Sequence, residues 1–248
     1  MPSPAAERVA GAAGGVRREA ALARLADARL YLCTPRRPAF AAFLASVVAQ
    51  APAADASPCA APGVPGVDIV QLREKGLDWS AEAAALAEAR EVLAASGALV
   101  SANDRADLAA LTGVDILHGG QDDIPPALAR RIVGPDVLIG RSTHDPDQLA
   151  DAIDDPDVDY FCVGPVWPTP TKQGRPGVGL DLPRLAARLA PPFTEGAKPW
   201  FVTGGVDAST LDAVLETGAR RVVVVRGITE AEAPDLAANA LAARLRAL

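Results

Sequence analysis

The feature of the sequence that most constrains its fold is a regular alternation between short apolar runs and segments with helical spacing. Each of eight apolar runs is followed by a segment in which alanine and leucine recur every three or four residues. Runs that are apolar throughout are typical of parallel strands buried on both faces. Seven of the predicted strands cover 30–33, 98–102, 114–117, 137–139, 160–163, 200–203 and 222–225. The remaining one, second in chain order, begins at residue 67. The predicted helices that follow them cover 40–50, 80–95, 105–111, 125–132, 146–153, 182–189, 209–217 and 230–245.

Eight consecutive βα units favour a closed (β/α)8 TIM barrel of the α/β class over a doubly wound open sheet. The first strand is not followed by a glycine-rich dinucleotide fingerprint, which also disfavours the open sheet. We predict an extra amino-terminal helix over 17–27, a flexible tail over 1–16 and a single barrel domain over 17–248. The segment 51–66 is rich in proline and alanine without any period and is predicted as a loop. The helix over 80–95 is predicted to have Ser80 as its N-cap.

The composition argues against several kinds of partner. The chain of 248 residues has a formal net charge of -7, which disfavours a nucleic-acid surface or binding to an anionic membrane. Its amino terminus has no apolar run long enough for a signal peptide or a membrane span. Cys33, Cys59 and Cys162 lack metal-ligand spacing and predict a reducing compartment without disulfides. We therefore expect a cytoplasmic protein that acts on small molecules, and a homo-oligomer is compatible with this composition.

The stretch that begins at Val67 changes from apolar to cationic. Alternate residues of a strand share a face, so Val67, Ile69, Gln71, Arg73 and Lys75 point the same way. If the first two fill the barrel interior, the other three lie at its mouth, where the sites of TIM barrels are found. Arginine and lysine at this position suit a polyanion such as a diphosphate.

Carboxylates follow the third and fourth predicted strands, at the same rim. Asp104 follows the third strand, and Asp122 and Asp123 follow the fourth. Next to Arg73 and Lys75, such a pair suits a phosphorylated ligand bound through Mg²⁺, which takes one or two carboxylates and completes its shell with water and phosphate oxygens. The alternative is that these aspartates cap the helices that follow them.

Two further rim segments carry features that suit a ligand. The long loop 165–179 contains Thr169, Thr171 and Lys172 between prolines, and this density of donors favours a phosphate clamp. The glycine pair 204–205 follows the seventh strand. This pair either lets a ligand approach bare backbone, with the next helix as a phosphate seat, or forms a tight turn.

Several motifs occur in the order in which thiamine phosphate synthases carry them. They are QLREK, SANDRADLA, LHGGQDD, GRSTH, VGPVWPTPTK, TGGV and VVRGITEA. From about residue 30 to the carboxyl end, the chain resembles this family of transferases in thiamine biosynthesis. The resemblance implies that 4-amino-2-methyl-5-(diphosphooxymethyl)pyrimidine is joined to hydroxyethylthiazole phosphate with Mg²⁺ as cofactor, and that diphosphate is released.

By motif position, the resemblance implies three sets of site residues. The pyrimidine diphosphate would be held by Gln71, Arg73, Lys75, Asn103, Ser142 and Lys172, of which Arg73, Lys75, Ser142 and Lys172 would also act in catalysis. Mg²⁺ would be bound by Asp104 and Asp123. The thiazole phosphate site would be lined by Thr169, Thr171, Gly205, Val225 and Arg226.

Two other functions fit parts of the same pattern. Thiazole tautomerases share the barrel and the thiazole phosphate site, and they transfer a proton, for which His144 is suitably placed. A tautomerase has no diphosphate to bind, so the QLREK motif, the aspartates and the TPTK segment favour the synthase. A barrel that only binds a phosphorylated metabolite is the other alternative, and the sequence does not exclude it.

Overall fold

The computed structural model describes residues 4–49, 66–169 and 176–248, with side chains from residue 15 onward. Its strands are β1 (Leu30–Thr34), β2 (Ile69–Leu72), β3 (Leu99–Asn103), β4 (Ile116–Gly119), β5 (Leu138–Thr143), β6 (Tyr160–Val163), β7 (Trp200–Val202) and β8 (Val222–Val224). Its helices are α1 (Pro4–Asp27), α2 (Phe40–Val48), α3 (Trp79–Leu93), α4 (Ala106–Thr112), α5 (Pro126–Val133), α6 (Pro146–Asp154), α7 (Asp181–Leu189), α8 (Leu211–Leu215), α9 (Arg226–Thr229) and α10 (Pro234–Arg246).

The strands form one closed parallel barrel. They pair in sequence order from β1 to β8, and β8 pairs with β1 to close the sheet. This topology confirms the predicted (β/α)8 TIM barrel and contradicts the open-sheet alternative. Within the described residues, no helix is both long enough and apolar enough to cross a membrane.

The apolar residues form two clusters, one inside the barrel and one between the strands and the surrounding helices. Ile69 belongs to the interior cluster, together with Tyr31, Tyr160 and Phe201. Val67 belongs to the outer cluster, and its N–H donates to the carbonyl oxygen at the end of α2 at 3.0 Å. The prediction that Val67 fills the interior is therefore wrong, because β2 begins at Ile69 and Val67 precedes the regular alternation.

Helix α1 closes the end of the barrel opposite to the carboxyl ends of the strands. Its residues Ala21 and Leu25, together with Ala28 directly after the helix, pack into the interior cluster. On the outside, Arg18 forms an ion pair with Asp159, which directly precedes β6. Because an open barrel end would expose apolar interior residues to water, this helix seals the core from below.

The start of α1 and the cap of α3 differ from the predictions. Helix α1 begins at Pro4 instead of residue 17. The predicted boundary at residue 16, between an amino-terminal tail and the barrel domain, stays a prediction. Helix α3 is capped by Asp78, whose Oδ1 accepts a hydrogen bond from the Ala81 N–H at 2.8 Å, and not by Ser80, which lies inside the helix. Serine and aspartate both cap well, so their types alone did not decide between two positions that are close in sequence.

Of two other predicted segments, one differs in the structure and the other is not tested. The segment predicted as a helix over 230–245 begins at residue 234, and the short helix α9 precedes it. The predicted loop over 51–66 lies outside the described residues except for Gly66. A Cβ atom at Gly66 would lie 2.2 Å from the carbonyl oxygen of Val47, so the chain passes α2 too closely for a side chain.

Candidate active site

A cavity of about 950 Å³ opens at the carboxyl ends of the strands, and all eight strands or the loops that follow them contribute to its wall. It is lined by eleven of the thirteen residues predicted for the site: Gln71, Arg73, Lys75, Asn103, Asp104, Asp123, Ser142, Thr169, Gly205, Val225 and Arg226. The other two, Thr171 and Lys172, lie outside the described residues. The structure therefore brings every described member of the predicted set to one cavity.

The end of β2 contributes an amide and two cations to this cavity. Gln71 is buried, and its Nε2 donates to the Tyr31 hydroxyl at 3.0 Å while its Oε1 accepts from the Cys33 thiol at 3.2 Å. Arg73 and Lys75 follow on the same face and line the cavity above it. The amide is thus fixed at the floor, and the cations are placed at the mouth.

Two carboxyl groups approach each other where β3 and β4 end. Asp104 has a φ of 62°, a left-handed conformation that aspartate adopts more readily than most residues. Oδ2 of Asp123 accepts a hydrogen bond from the Gly120 N–H at 2.7 Å. Burial raises the pKa of Asp104 to about 6, and the hydrogen bond and negative charge of Asp123 add to this effect, whereas Lys75 and Arg73 oppose it.

This pair of carboxyl groups fits a divalent cation that also binds a phosphorylated ligand. Within the described residues, no group of three or more His, Cys, Asp and Glu side chains is placed to hold a metal ion by itself. Two carboxylates leave coordination positions for phosphate oxygens and water, as Mg²⁺ requires. A cation between Asp104 and Asp123 would also relieve the repulsion that raises the pKa of Asp104.

Neither aspartate caps a helix. The N-cap of α4 is Arg105 and that of α5 is Pro125, and neither helix has a hydrogen bond from a capping side chain. The alternative role for Asp104 and Asp123 as helix caps is therefore wrong. Asp122 also lines the cavity next to this pair.

The loop that carries Asp123 is held in place from β5. Nε2 of Gln121 donates to the carbonyl oxygen of Ser142 at 2.6 Å. The Arg141 guanidinium donates to the carbonyl oxygens of Gln121 and Ile124, both at 3.4 Å. Burial lowers the pKa of Arg141, and nearby carboxylates, first of all that of Asp123, oppose this shift. Arg141 was not predicted as a site residue, because strand periodicity places it on the face of β5 opposite to that of Ser142.

Of the two alternatives for the glycine pair after β7, the structure favours the tight turn over a phosphate seat at the next helix. The N–H groups of Ser209 and Thr210 already donate to Oδ1 of Asp207, at 2.8 and 3.2 Å, and are therefore not available to a phosphate. Gly204 has a φ of 95°, and a Cβ atom there would lie 2.4 Å from Cα of Pro165. This glycine is therefore required both for the turn and for close packing against the neighbouring loop.

The end of β8 offers a second region suited to phosphate. The unpredicted helix α9 begins directly after β8, and Val225, Arg226 and Gly227 line the cavity there. Gly205 lines it from the adjacent strand end. A short extra helix after strand 8 is a frequent phosphate site in TIM barrels. The Arg226 side chain adds a full positive charge to this end of the cavity.

The cavity floor consists of a hydrogen-bonded set of side chains, which we call the floor network: Cys33, Gln71, Tyr31, Ser101, Tyr160, His118 and Ser142. Only Gln71 and Ser142 were predicted as site residues. A tyrosine within a short aliphatic strand is a signal that could have identified Tyr31 and Tyr160, because a buried phenol requires a hydrogen-bond partner.

Two other features of the sequence also reach the cavity. Nδ1 of His144 hydrogen-bonds to the carbonyl oxygen of Gly164, which fixes the imidazole at the cavity wall. Cys33 and Cys162 are both buried, and their side chains line the cavity. Cys59 lies outside the described residues.

Comparison with known proteins gives a consistent result over most of the chain. A family model described as thiamine monophosphate synthase matches residues 30–228. A thiamine-phosphate synthase of Acidothermus cellulolyticus is 51% identical over 228 residues, which cover 91% of this chain and 98% of that protein. A thiamine-phosphate synthase of Streptomyces avermitilis is 49% identical, with 90% of this chain and 96% of that protein covered.

Solved structures with low sequence identity share the fold. The thiamine phosphate pyrophosphorylase from Pyrococcus furiosus superposes with a TM-score of 0.70 at 21% identity, covering 94% of this chain and 98% of its own. A 3-hexulose-6-phosphate synthase gives a TM-score of 0.58 at 19% identity, covering 87% and 98%. These likenesses support the barrel architecture described above.

Proposed function

This chain belongs to the thiamine monophosphate synthase family and is an enzyme of that type, and we propose that it joins the pyrimidine diphosphate to hydroxyethylthiazole phosphate with the help of Mg²⁺. The products are thiamine phosphate and diphosphate. The observation that carries the proposal is the convergence of two cations, Arg73 and Lys75, with two carboxyl groups, Asp104 and Asp123, on one cavity.

We assign the diphosphate end of the pyrimidine substrate to the rim formed by β2, β3 and β4. Arg73 and Lys75 neutralise charge that increases on the diphosphate as its bond to carbon breaks, and such interactions contribute most inside a partly enclosed cavity. Asp104 and Asp123 would hold Mg²⁺, which supplies further charge neutralisation when bound. Lys172, by its motif position, belongs to the same set.

The proposed reaction needs no external oxidant and no general base. The bond between the methylene carbon of the pyrimidine and the diphosphate oxygen breaks, and its electron pair leaves with the diphosphate. The lone pair of the neutral thiazole nitrogen then forms the new bond to that carbon. Since this nitrogen carries no proton, the chain's own residues have only to bind, orient and exclude water.

We assign the thiazole phosphate to the opposite side of the cavity. Arg226 and the first residues of α9 lie there, with Gly205 and Thr169 on the neighbouring loops. This places the two phosphorylated groups at separate ends, so that the thiazole nitrogen can approach the pyrimidine methylene group between them. Gln71 and Asn103 are proposed to contact the pyrimidine side.

Diphosphate release tests the proposal directly. Purified protein is incubated with both substrates and Mg²⁺, and diphosphate and thiamine phosphate are quantified; both are expected in equal amounts. Omitting the thiazole phosphate is the control for simple hydrolysis. Isomerisation of a thiazole phosphate without diphosphate release would instead support the tautomerase. Binding of either substrate without any product would support the non-catalytic barrel and refute the synthase.

The cytoplasmic location and the homo-oligomeric state are also proposals. The net charge of -7, which disfavours binding to nucleic acid or to an anionic membrane, supports a protein that acts on free small molecules. Sedimentation analysis of the full chain would measure its oligomeric state. Fractionation of the native cells would test the location.

A further inference from the structure

The floor network links Tyr160, which lies deep in the barrel, to Ser142 at the cavity. The Tyr160 hydroxyl lies 2.9 Å from Nδ1 of His118, and Nε2 of the same imidazole lies 3.0 Å from Oγ of Ser142. On its other side, the Tyr160 hydroxyl lies 3.2 Å from that of Tyr31. His118 therefore connects a tyrosine outside the predicted set to a serine within it.

The barrel is built to allow this contact. Gly140 is the register partner of both His118 on one side and Tyr160 on the other. A Cβ atom at Gly140 would lie 2.2 Å from the Tyr160 ring, so the ring crosses the strand where no side chain stands. Tyr160 is fully buried, and burial raises its pKa well above the ordinary value. Its hydroxyl is therefore a neutral group that can donate one hydrogen bond.

The direction of the hydrogen bonds determines what Ser142 can offer to a ligand. If Tyr160 donates to Nδ1 of His118, the imidazole proton is on Nε2 and is donated to Ser142, whose own O–H can then point into the cavity. If Tyr160 donates to Tyr31 instead, His118 carries its proton on Nδ1 and must accept the Ser142 O–H. Ser142 would then present only lone pairs, which repel an anion.

The geometry favours the first arrangement. Tyr31 donates to Ser101 at 3.1 Å and accepts from Gln71 at 3.0 Å, so it is satisfied without the Tyr160 proton. An imidazole nitrogen is a stronger acceptor than a phenol oxygen, and the contact of Tyr160 with His118, at 2.9 Å, is shorter than its contact with Tyr31, at 3.2 Å. The separation of 3.0 Å between Nε2 and Ser142 Oγ is also typical of an N–H donor to oxygen.

We propose that Tyr160 is a positioning residue that, through His118, turns the Ser142 hydroxyl into a hydrogen-bond donor for the diphosphate of the pyrimidine substrate. This inference rests on the proposed function for the identity of the ligand. It assigns Tyr160 no contact with the substrate, and the effect of Tyr160 must therefore pass through Ser142. Tyr160→Phe removes the hydroxyl and retains the ring that packs over Gly140.

Steady-state kinetics of Tyr160→Phe, Ser142→Ala and the double variant test this path. Tyr160→Phe is expected to lower kcat/KM for the pyrimidine diphosphate roughly tenfold, as for one hydrogen bond to a charged group, with KM for the thiazole phosphate unchanged. In the Ser142→Ala background, the same substitution should have no further effect, because residues that act through one another are not additive. Full additivity, or no loss in Tyr160→Phe, would overturn the proposal.

Thr143→Val is the matched control for removing a buried hydroxyl from the barrel wall. Thr143 is fully buried, and its hydroxyl donates to the carbonyl oxygen of Cys162 at 3.1 Å, outside the floor network. Circular dichroism should show that all variants are folded. Loss of activity in Thr143→Val equal to that in Tyr160→Phe would mean that Tyr160 matters only for stability, which contradicts the proposal.

A spectroscopic measurement on the unsubstituted chain tests the proton arrangement independently of activity. The sequence contains only two histidines, so protein labelled with [15N]histidine gives two sets of ring signals, and the His144→Gln variant identifies those of His118. At about pH 8, where an ordinary imidazole is neutral, the proton of His118 is expected on Nε2. A proton on Nδ1 would refute the inference. If the chain does not form thiamine phosphate at all, the proposed function fails, while this measurement still decides the direction of the network.

Discussion

The carboxyl groups of Asp104 and Asp123, which follow different strands, lie close enough to share a hydrogen bond at the mouth of the barrel. Burial together with this contact raises the pKa of Asp104 to about 6. The folded chain therefore binds a proton at this site more tightly than the unfolded chain does. The contribution of this group to stability is present below about pH 4 and is lost as the pH rises through 6.

We predict from this relationship that Asp104→Asn stabilises the metal-free protein at pH 7.5 and not at pH 4. The gain at pH 7.5 should be about 1 kcal/mol, since solvent reaches part of the carboxyl group and screens its interactions. Asparagine tolerates the left-handed backbone of Asp104, so the substitution introduces no new strain. Urea unfolding in the presence of a chelator measures the difference, and equal stabilisation at both pH values would contradict the prediction.

Asp107→Asn is a control of opposite sign for this pH dependence. The hydrogen bond with Arg105 lowers the pKa of Asp107 to about 2, so its ionised form is the one that stabilises the fold, and this contribution is lost only as the pH falls through 2. The Asp107 side chain is about half exposed, so a loss of at most about 0.5 kcal/mol is expected at pH 7.5. A gain in stability in this variant would show that removing any negative charge stabilises the protein, so that the effect would not be specific to Asp104.

Magnesium should stabilise the protein only when both carboxylates are present. In the presence of inorganic diphosphate, we expect Mg²⁺ to raise the unfolding temperature of the unsubstituted chain, because a ligand that binds the folded state alone shifts the equilibrium. The shift should disappear in Asp104→Asn and weaken below pH 6, where the Asp104 carboxyl is protonated. A shift of equal size in Asp104→Asn would exclude this carboxylate as a ligand. Asp147→Asn, in the exposed first turn of α6, is the matched control.

The two ends of the cavity should respond to different arginine substitutions. Arg73→Ala is expected to lower kcat/KM for the pyrimidine diphosphate by roughly 10²- to 10³-fold, as for the loss of one donor to developing charge. Its KM for the thiazole phosphate should change little. Arg226→Ala should show the reverse, with the larger change in KM for the thiazole phosphate. Steady-state kinetics with each substrate varied in turn would reveal whether the two effects separate, and equal effects on both substrates would contradict the assignment.

The residues that could be predicted from the sequence are those whose position depends only on strand order. Arg73, Asp104 and Asp123 lie at the ends of predicted strands or in the loops that follow them, and in a barrel every strand end reaches the same rim. The contact between Tyr160 and His118 could not be predicted in this way, because it depends on the register that places both beside Gly140. Periodicity gives the face of a residue and not its neighbour on the next strand.

The failures at the phosphate sites have a similar physical origin. Of the two alternatives for the glycine pair after β7, the phosphate seat at the next helix is not available, because the Asp207 carboxylate accepts the N–H groups of Ser209 and Thr210. Helix α9 was not predicted because four residues are too few to show a helical period. The role of α1 as a cover for the barrel could not be predicted from the sequence either, because the pattern of an amphipathic helix does not reveal which surface it packs against.

This cover leads to a last prediction on stability. Leu25 of α1 is fully buried in the interior cluster, whereas Leu22 on the same helix is 36% exposed. Leu25→Ala should therefore lower the free energy of unfolding by about 3 kcal/mol, since it removes buried methyl groups and leaves a cavity below the barrel. Leu22→Ala is the matched control and should cost less than about 1 kcal/mol. Urea unfolding of both variants compares them directly. A small effect of Leu25→Ala on the free energy of unfolding would mean that α1 does not seal the core. A large effect, with kcat and KM unchanged at urea concentrations below the unfolding transition, would show that α1 supports the barrel from the end opposite to the site.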